Sequence, residues 1–432
     1  MKLTKLSLVA ALLISSSAFA IENTKVSGDV NLFYGTMKSD NLTAVPTNVL
    51  APTSDNKGSF FDKESSYGDA SVNLELTTDL SKGVSAGVKG TFITTLGLEN
   101  NLVDNTWSNS HGVTANSNAS FSGGYQLDDA FFIGEMWIAG TAFDTTAKVG
   151  RQSLDTPLAF TETWGIDQNT FEAAVIINQS IPDTTLVGAW VGKSNGSADD
   201  ISALNTNTIT AAQGGVTSQD GKFNTFKNNG VYVAGAINNS WKPLTVQAWY
   251  YDLQSMATAI WFQADLNLDG ILLGAQYVEI DADTADNDEA ISAMIGYDIK
   301  DTATIKVAYS SVDEKGAVGN VGNVATSNHQ SKLYTGMWWT SGYVSATGTD
   351  TIALTVDSTV GPEIGLFAGV YMAERDFTGT DTEYSEYVLS ASKSFGPLDT
   401  SLALIHDNFE DNRVSTNDVK TTHLQVYLTY NF

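Results

Sequence analysis

Residues of opposite charge are concentrated around one predicted loop in the first half of the chain. Two basic residues lie just before the segment 152–170, and three acidic residues lie within it. The five are Lys148, Arg151, Asp155, Glu162 and Asp167. When such charges face each other across a narrow passage, the transverse field orients water and filters dissolved ions. The pattern therefore predicts a pore constriction, and an ordinary solvated loop is the alternative interpretation.

Arg151 raises a difficulty for this interpretation. In a β-strand, successive side chains point to opposite faces. Arg151 shares its face with Val149 and not with Lys148. Both basic side chains therefore reach the same passage only if the strand ends or bulges at Arg151.

No cluster in the sequence supports covalent or redox chemistry. Cysteine is absent, which excludes disulfides, thiolate metal sites and a cysteine nucleophile. None of the four histidines has metal-ligand spacing or lies beside a serine nucleophile motif. We therefore expect neither enzymatic activity nor a cofactor. The segment 281–289 carries five carboxylates and could bind a divalent cation, although a solvated loop tip is the favoured interpretation.

Composition limits the class of protein further. The chain has 432 residues, with 22 Lys+Arg against 49 Asp+Glu and a formal net charge of −27. Only 16% of the residues are charged, compared with roughly 25% in an average soluble protein. Nucleic-acid binding requires a basic surface that displaces counterions, so no nucleic-acid partner is expected. Few charges and 10% aromatic residues favour extensive β-structure instead.

The N-terminus has the features of a secretory signal peptide. A basic start, a short apolar run and an A-x-A motif ending at Ala20 are typical of a cleaved leader at 1–20. The remaining chain, 21–432, is predicted to form a single domain. It contains no apolar run near the roughly 18 residues of a membrane-spanning helix, which excludes a helical membrane protein.

Alternation of apolar and polar residues recurs along the whole of this domain. Val72, Leu74 and Leu76 alternate with Asn73 and Glu75, for example, which predicts a strand with one apolar and one polar face. Eighteen such segments are predicted, with sixteen as the alternative because two of them alternate poorly. The segments are 24–34, 67–79, 84–95, 126–138, 145–151, 171–178, 184–193, 230–238, 244–252, 258–268, 271–280, 289–299, 303–312, 350–359, 363–373, 384–395, 398–407 and 421–432.

The connections between these segments alternate in length. Short turns such as Asp269-Gly270 have hairpin sequences, whereas long polar segments such as 96–125 and 313–348 follow other strands. This alternation is typical of barrels that cross the outer membrane. We therefore predict an all-β, antiparallel transmembrane β-barrel with short periplasmic turns and long external loops. A soluble β-sandwich is the alternative.

The C-terminal strand is the most specific single feature of the sequence. Leu424, Val426, Leu428, Tyr430 and Phe432 share one face, and the chain ends on the last of them. An aromatic terminus on an amphipathic strand is similar to the signal that the outer-membrane assembly machinery reads. Tyr430 and Phe432 are therefore predicted to form an assembly signal.

Strand parity also assigns charged residues to the inner face of the predicted barrel. These residues are Asp29, Glu75, Lys89, Asp298, Lys306, Asp357 and Glu386. On this face, and in the segment 152–170, acidic residues outnumber basic ones. Cations should therefore be enriched in the channel.

Two parts of the sequence resemble a known family. The first is KVGRQSLDTPL at 148–158, with NTFEA at 169–173 and IPDTTL at 181–186; the second is SKLY at 331–334, with WW at 338–339. They resemble the epsilonproteobacterial Opr-type outer-membrane porins, distant relatives of the OprD-type specific porins. The resemblance implies an eighteen-stranded barrel that forms a homotrimer. This chain has only three arginines, so the basic ladder and the substrate preference of those relatives are not carried over.

Taken together, these features predict an outer-membrane porin. We expect a water-filled channel for passive diffusion of small hydrophilic solutes and ions, with a preference for cations. Its further partners would be outer-membrane lipid and the assembly machinery. A substrate-specific porin and a surface adhesin barrel are the alternatives.

Overall fold

A computed structural model describes most of the chain. The described residues are 22–40, 60–103, 106–108, 110–111, 129–197, 216–227, 229–283, 286–316, 318–326, 330–361, 363–377, 379–414 and 418–432. The predicted signal peptide, 1–20, lies outside them. Within these ranges, no helix has the length and apolar character needed to cross a membrane.

The described chain contains nineteen β-strands, eighteen of which form the wall of one closed barrel. In chain order they are β1 (Glu22–Ser39), β2 (Ser66–Ser81), β3 (Val84–Thr94), β4 (Ala130–Ala142), β5 (Thr145–Gln152), β6 (Phe171–Asn178), β7 (Thr184–Ser194), β8 (Asn224–Thr225), β9 (Val231–Asn238), β10 (Leu244–Asp252), β11 (Ala257–Leu268), β12 (Ile271–Ala282), β13 (Asp288–Ile299), β14 (Ala303–Val312), β15 (Thr349–Val360), β16 (Ile364–Phe377), β17 (Thr380–Phe395), β18 (Leu398–Asp411) and β19 (Val419–Asn431). β8 has only two residues, which pair with Lys193 and Ser194 at the end of β7. It is not counted as a wall strand. The prediction of eighteen wall strands is confirmed.

The barrel closes through its first and last strands. β1 and β19 pair antiparallel, with Val30 opposite Tyr430. Beyond the last strand residue, Gly28 and Phe432 exchange two backbone hydrogen bonds of 2.9 Å. Closure satisfies the backbone groups that an open sheet would expose at its edges. The antiparallel barrel predicted from the sequence is therefore the observed architecture.

The outer face of the wall is apolar around its middle. Ile295 is 58% exposed and Leu389 is 61% exposed, although both belong to well-paired strands. Outward aromatic residues form one belt toward the long-loop end, Phe131, Trp190, Tyr232, Tyr250 and Tyr309, and another toward the short-turn end, Trp241, Tyr297, Phe395, Tyr430 and Phe432. An exposed apolar surface of this extent is unusual for a protein in water. Two aromatic belts around it are typical of a barrel in lipid.

The two ends of the barrel differ as the sequence predicted. At one end the strands are joined by tight turns, and Asp269 and Gly270 have φ of 48° and 97°. Positive φ at both central residues is the geometry of a hairpin turn that matches the twist of the strands. The other end carries the long connections, among them 153–170 and 313–348.

Parts of the long connections fold into the barrel and pack against its inner wall. One buried apolar cluster joins Leu158 and Val324 to Trp261 of β11. A second cluster joins Ile166 and Trp339 to wall residues on the opposite side. Burial of each large apolar side chain stabilises the fold by roughly 1.5–3 kcal/mol. The lumen is therefore partly filled by protein toward its long-loop end.

Candidate functional site

The segment 153–170, named here inward loop A, crosses the interior of the barrel. The Ser71 hydroxyl donates to the carbonyl of Ile166 at 2.6 Å, and the Tyr427 hydroxyl donates to the carbonyl of Trp164 at 2.8 Å. These two wall residues belong to β2 and β19, on either side of β1, whereas the loop leaves and rejoins the wall at β5 and β6. The loop therefore packs inside the barrel against strands that are not its neighbours in the chain, and its role as a constriction stays a prediction.

Glu162 of inward loop A does not face the lumen water. Its side chain is fully buried. It accepts hydrogen bonds from Trp164 Nε1 at 2.8 Å, from Asn323 Nδ2 at 2.9 Å and from the Thr326 hydroxyl. Burial raises the pKa of the Glu162 carboxyl above its ordinary value, although these hydrogen bonds oppose the shift. The predicted role of Glu162 as a charge in the passage is thus replaced by an anchoring role.

Asp167 differs from its predicted role in the same way. It is buried, and its Oδ2 accepts from the hydroxyls of Ser108 at 2.7 Å and Ser110 at 2.9 Å, and from that of Thr217. Burial raises the pKa of the Asp167 carboxyl as well. Three separate connections are joined at this carboxyl, which explains why an acidic residue is buried there. A polar group is buried at low cost only when it is hydrogen-bonded.

Asp155 is the acidic residue of inward loop A that remains in water. Its side chain is 90% exposed, and it forms an ion pair with Lys332. Lys332 belongs to the segment 313–348, named here inward loop B, and its Nζ also lies 4.7 Å from the centre of the Phe160 ring. The backbone N–H of Val324 in loop B donates to the carbonyl of Leu158 at 2.9 Å. The two inward loops are therefore joined directly across the lumen.

Glu386 anchors inward loop B to the wall. This carboxylate accepts backbone hydrogen bonds from Trp338 at 2.7 Å, and from Trp339 and Thr340 at 3.1 Å. The prediction that Glu386 points inward is compatible with these contacts. The residue is nevertheless fully buried, so it does not line the aqueous channel as a lumen charge. Sequence parity could not show that a distant loop covers it.

Arg151 lies on the outer face of the barrel. In the β4–β5 pair it is opposite Met136, whose side chain is 53% exposed on the apolar outer surface. Arg151 Nε lies 3.0 Å from Glu172 Oε1, and Lys193 Nζ lies 3.5 Å from the other oxygen of that carboxylate. No change of register occurs between Lys148 and Arg151, so successive side chains of β5 still alternate between the inner and outer faces. The predicted place of Arg151 at the constriction is wrong.

Lys148 faces the lumen within a set of partly exposed charges on strands β2 to β5. Its Nζ lies 4.2 Å from the ring centre of Trp137. On neighbouring strands at one level, Glu75 lies opposite Lys89, which in turn lies opposite Glu135. The Ser153 hydroxyl of inward loop A donates to Glu135 at 2.9 Å. Alternating charges therefore cover the wall beside the root of loop A.

Glu135 was not among the predicted site residues. The strand β4 shifts register at Gly134, between Ile133 and Glu135. A bulge of this kind adds a residue and changes which face the following side chains occupy. The alternation around 126–138 was weak for this reason. Only the cross-strand pairing with Lys89 identifies Glu135 as an inner-face residue.

The other predicted lumen charges lie on inner-face positions of β1, β13, β14 and β15. Asn73 Nδ2 donates to Asp29 at 2.7 Å. Asp298, Thr304 and Asp357 are opposite one another in one row across β13, β14 and β15. Lys306 lies next to this row, two residues after Thr304. All four charged side chains keep contact with solvent.

Asp265 of β11 is a second inner-face carboxylate that sequence analysis missed. It accepts a hydrogen bond of 2.6 Å from the Tyr334 hydroxyl of inward loop B. Its partner lies 69 positions away in the chain. No local pattern could therefore have indicated this contact, although the Asp265-Leu266-Asn267-Leu268 alternation does place Asp265 opposite the apolar face.

The acidic segment 281–289 does not form one cluster of carboxylates. Asp288 points inward, where it accepts from the backbone N–H of Val318 at 2.7 Å and from the Thr347 hydroxyl at 3.0 Å. Residues 284–285 lie outside the described chain. Among the residues that the structure describes, no group of three or more potential metal ligands is close enough to hold an ion.

Tyr430 and Phe432 lie at the closing seam of the barrel. Both side chains are outward, with 48% and 55% of their surface exposed. The ring of Phe432 lies over Gly28 of β1, where a Cβ atom would come within 2.7 Å of it. The role of both residues as an assembly signal stays a prediction.

Comparison with known proteins supports the architecture. No protein-family model and no curated protein sequence matches the chain. Three solved structures from Pseudomonas aeruginosa match closely in fold. OccK3 (OpdO) has 12% identity and a TM-score of 0.62 over 98% of this chain and 99% of that one. OccK9 (OpdG) has 12% identity and a TM-score of 0.65 over 95% and 99%.

The third of these structures is OpdK, crystallised with vanillate. It has 11% identity and a TM-score of 0.63 over 94% of this chain and 99% of that one. At such identities the likeness shows the fold alone. Nothing in these comparisons supports an epsilonproteobacterial origin.

Proposed function

We propose that the protein is an outer-membrane porin through which small hydrophilic solutes diffuse passively. One observation carries the proposal. A closed barrel has an apolar outer face, while Glu75, Lys89, Glu135 and Lys148 remain solvated on its inner face beside an inward loop. Charged side chains inside a barrel with an apolar exterior are the arrangement of a water-filled channel in lipid.

The inward packing of the loops favours a channel over an adhesin. An adhesin would present its long loops outward for binding. Here the described parts of inward loops A and B bury Leu158, Ile166, Val324 and Trp339 against the wall. These loops occupy part of the interior of the barrel, which favours selective rather than unrestricted diffusion.

A preference for cations is part of the proposal. Between the two rims, the solvated acidic residues of the inner face and loop A are Asp29, Glu75, Glu135, Asp155, Asp265, Asp298 and Asp357. The solvated basic residues in the same space are Lys89, Lys148, Lys306 and Lys332. The excess of acid remains although three predicted carboxylates are buried. Field lines focused by the apolar wall would raise the local cation concentration.

Reconstitution into planar bilayers tests the proposal. We expect stepwise conductance increases in KCl and, in a salt gradient, a reversal potential of cation-selective sign that decreases as salt screens the lumen charges. Failure to conduct would contradict the porin function, and an anion-selective sign would contradict the cation preference. The homotrimer and the contact with the assembly machinery stay predictions, which cross-linking in intact cells would test.

A further inference from the structure

Trp338 is an exposed large apolar residue of inward loop B. Its side chain is 38% exposed, whereas its neighbour Trp339 is 3% exposed. The indole Nε1 donates to Gln425 Oε1 at 3.3 Å, and the backbone N–H is held by Glu386. The ring is therefore fixed in place although one face of it is in contact with water.

The indole lies along one inner-face row of the wall. Register places Phe367, Ser390, Ala403 and Gln425 opposite one another on β16 to β19. Trp338 contacts both ends of this row, because its ring centre is 5.4 Å from that of Phe367 and its nitrogen binds Gln425. The two residues between are small, which leaves room for a flat ring. Trp338 and Phe367 thus form a continuous aromatic surface.

This surface faces the short-turn end of the lumen. Phe367 is the fourth residue of β16, which starts at the short-turn end with Ile364. Inward loop B covers the wall farther toward the long-loop end, where Glu386 binds its backbone. The Trp338 and Phe367 rings are therefore within reach of a solute that enters from the short-turn side.

A carboxylate lies beside the aromatic surface. Asp357 of β15 is directly opposite Phe367 in the β15–β16 pair and is exposed. Side chains in this relationship have Cβ atoms about 4.5–5.5 Å apart. Among the described residues, no basic group lies within ion-pair distance of Asp357. Its negative charge is therefore available to a solute at the edge of the Phe367 ring.

We propose that Trp338, Phe367 and Asp357 bind organic monocations that carry a flat apolar body. The apolar body stacks on the indole and phenyl rings, and the ammonium group lies between the Asp357 carboxylate and the aromatic faces. A cation is attracted both by a carboxylate and by the quadrupole of an aromatic ring. An inorganic ion would gain little from two rings fixed side by side, and an anion would be repelled by Asp357. The inference rests on the proposed channel function and names a solute class for it.

The choice of probes follows from the three contacts. Phenylethylammonium has a ring and an ammonium group, ethylammonium lacks the ring, and phenylacetate has the ring with an anionic group. Each is added to channels that conduct KCl in a planar bilayer, first on the short-turn side and then on the long-loop side. We expect phenylethylammonium to block at lower concentration from the short-turn side, with much weaker block by the other two.

Matched variants test the assignment to residues. Trp338→Ala and Asp357→Asn should each raise the half-blocking concentration of phenylethylammonium by about tenfold, the change that corresponds to losing one good contact. Trp338→Phe keeps an aromatic face and should retain most of the block. Trp241→Ala removes an aromatic residue from the outer surface, and Asp399→Asn removes a carboxylate from the short-turn rim. Phenylethylammonium should block both control channels at the same concentration as the wild-type channel.

The outcomes separate the inference from the proposed function. Loss of block in Trp338→Ala and Asp357→Asn, with block retained in Trp338→Phe and in both controls, supports the site. KCl conductance without selective block by phenylethylammonium overturns the site and leaves the channel function intact. Equal block by phenylacetate also overturns it. Absence of any conductance contradicts the channel function itself.

Discussion

Arg151 and Glu172 form an ion pair on the outside of the barrel, with 3.0 Å between Nε and Oε1. Lys148, only three residues earlier on β5, points into the lumen and lies over the Trp137 ring. A single strand thus supplies one basic residue to the channel and one to the outer surface. Alternation along the strand, unbroken between the two residues, accounts for the difference.

The first prediction concerns ion selectivity. Lys148→Gln removes a positive charge from the lumen and should increase the cation-selective reversal potential in a KCl gradient. Arg151→Gln should leave that potential within the scatter between wild-type channels, because its charge lies outside. The loss of the partly exposed ion pair with Glu172 should cost no more than about 1 kcal/mol of stability. A larger effect of Arg151→Gln than of Lys148→Gln on the potential would contradict the assignment of faces.

The second prediction concerns the anchor of inward loop B. Glu386→Ala leaves three backbone N–H groups without their acceptor, two of them buried, and each buried group costs about 1–3 kcal/mol. The loop should detach, and trypsin should cleave after Lys332 more than about tenfold faster than in the wild type, because every 1.4 kcal/mol corresponds to a factor of ten. Mass spectrometry of the fragments gives the cleavage site.

Glu383→Ala is the matched control for this measurement. Glu383 lies on the same strand but is exposed, so its removal should not change the rate of cleavage. If Glu386→Ala were as resistant to trypsin as this control, the anchoring role would be refuted.

The third prediction concerns pH. Burial raises the pKa of Glu162 in the folded protein, so between the unfolded value near 4.3 and the folded value the native state binds more protons than the unfolded state. Stability then falls as pH rises through this interval. We expect the melting temperature in detergent to decrease from pH 4 toward higher pH, and Glu162→Gln to reduce the decrease.

Asp155→Asn provides the comparison within the same loop. Asp155 is 90% exposed, so Asp155→Asn removes a carboxylate from inward loop A and leaves the buried one in place. An identical slope in the wild type and in Glu162→Gln would show that the buried carboxyl does not contribute.

The fourth prediction tests the two faces of β15. Leu354 is outward and 43% exposed, whereas Thr355 is opposite Lys306 on the inner face. Leu354→Arg should cost about 2–4 kcal/mol if it lies near the bilayer midplane, while Thr355→Arg should be tolerated because its side chain reaches water. Urea unfolding in lipid vesicles measures both. Similar costs for the two variants would contradict either the membrane location of the barrel or the assignment of Leu354 and Thr355 to opposite faces of β15.

Local patterns in the sequence were sufficient to predict the architecture. The alternation of residues such as Val72, Leu74 and Leu76 has a period of two, and this period reflects strand geometry that every residue carries locally. The same local rule placed Asp29 and Asp357 on the inner face and Tyr430 on the outer face. It failed at Glu135 because a bulge adds one residue and reverses the parity.

Which charges meet the water of the lumen depends on long-range packing, and local patterns could not predict it. Glu162, Asp167 and Glu386 are acidic residues in plausible positions, yet each is buried by partners that are distant in the chain, such as Asn323, Thr217 and Trp338. Whether a carboxylate lines a channel depends on what covers it, and loops that fold inward can cover residues anywhere on the wall. Such contacts have no period in the sequence, because they arise only after the barrel has closed and the loops have packed inside it.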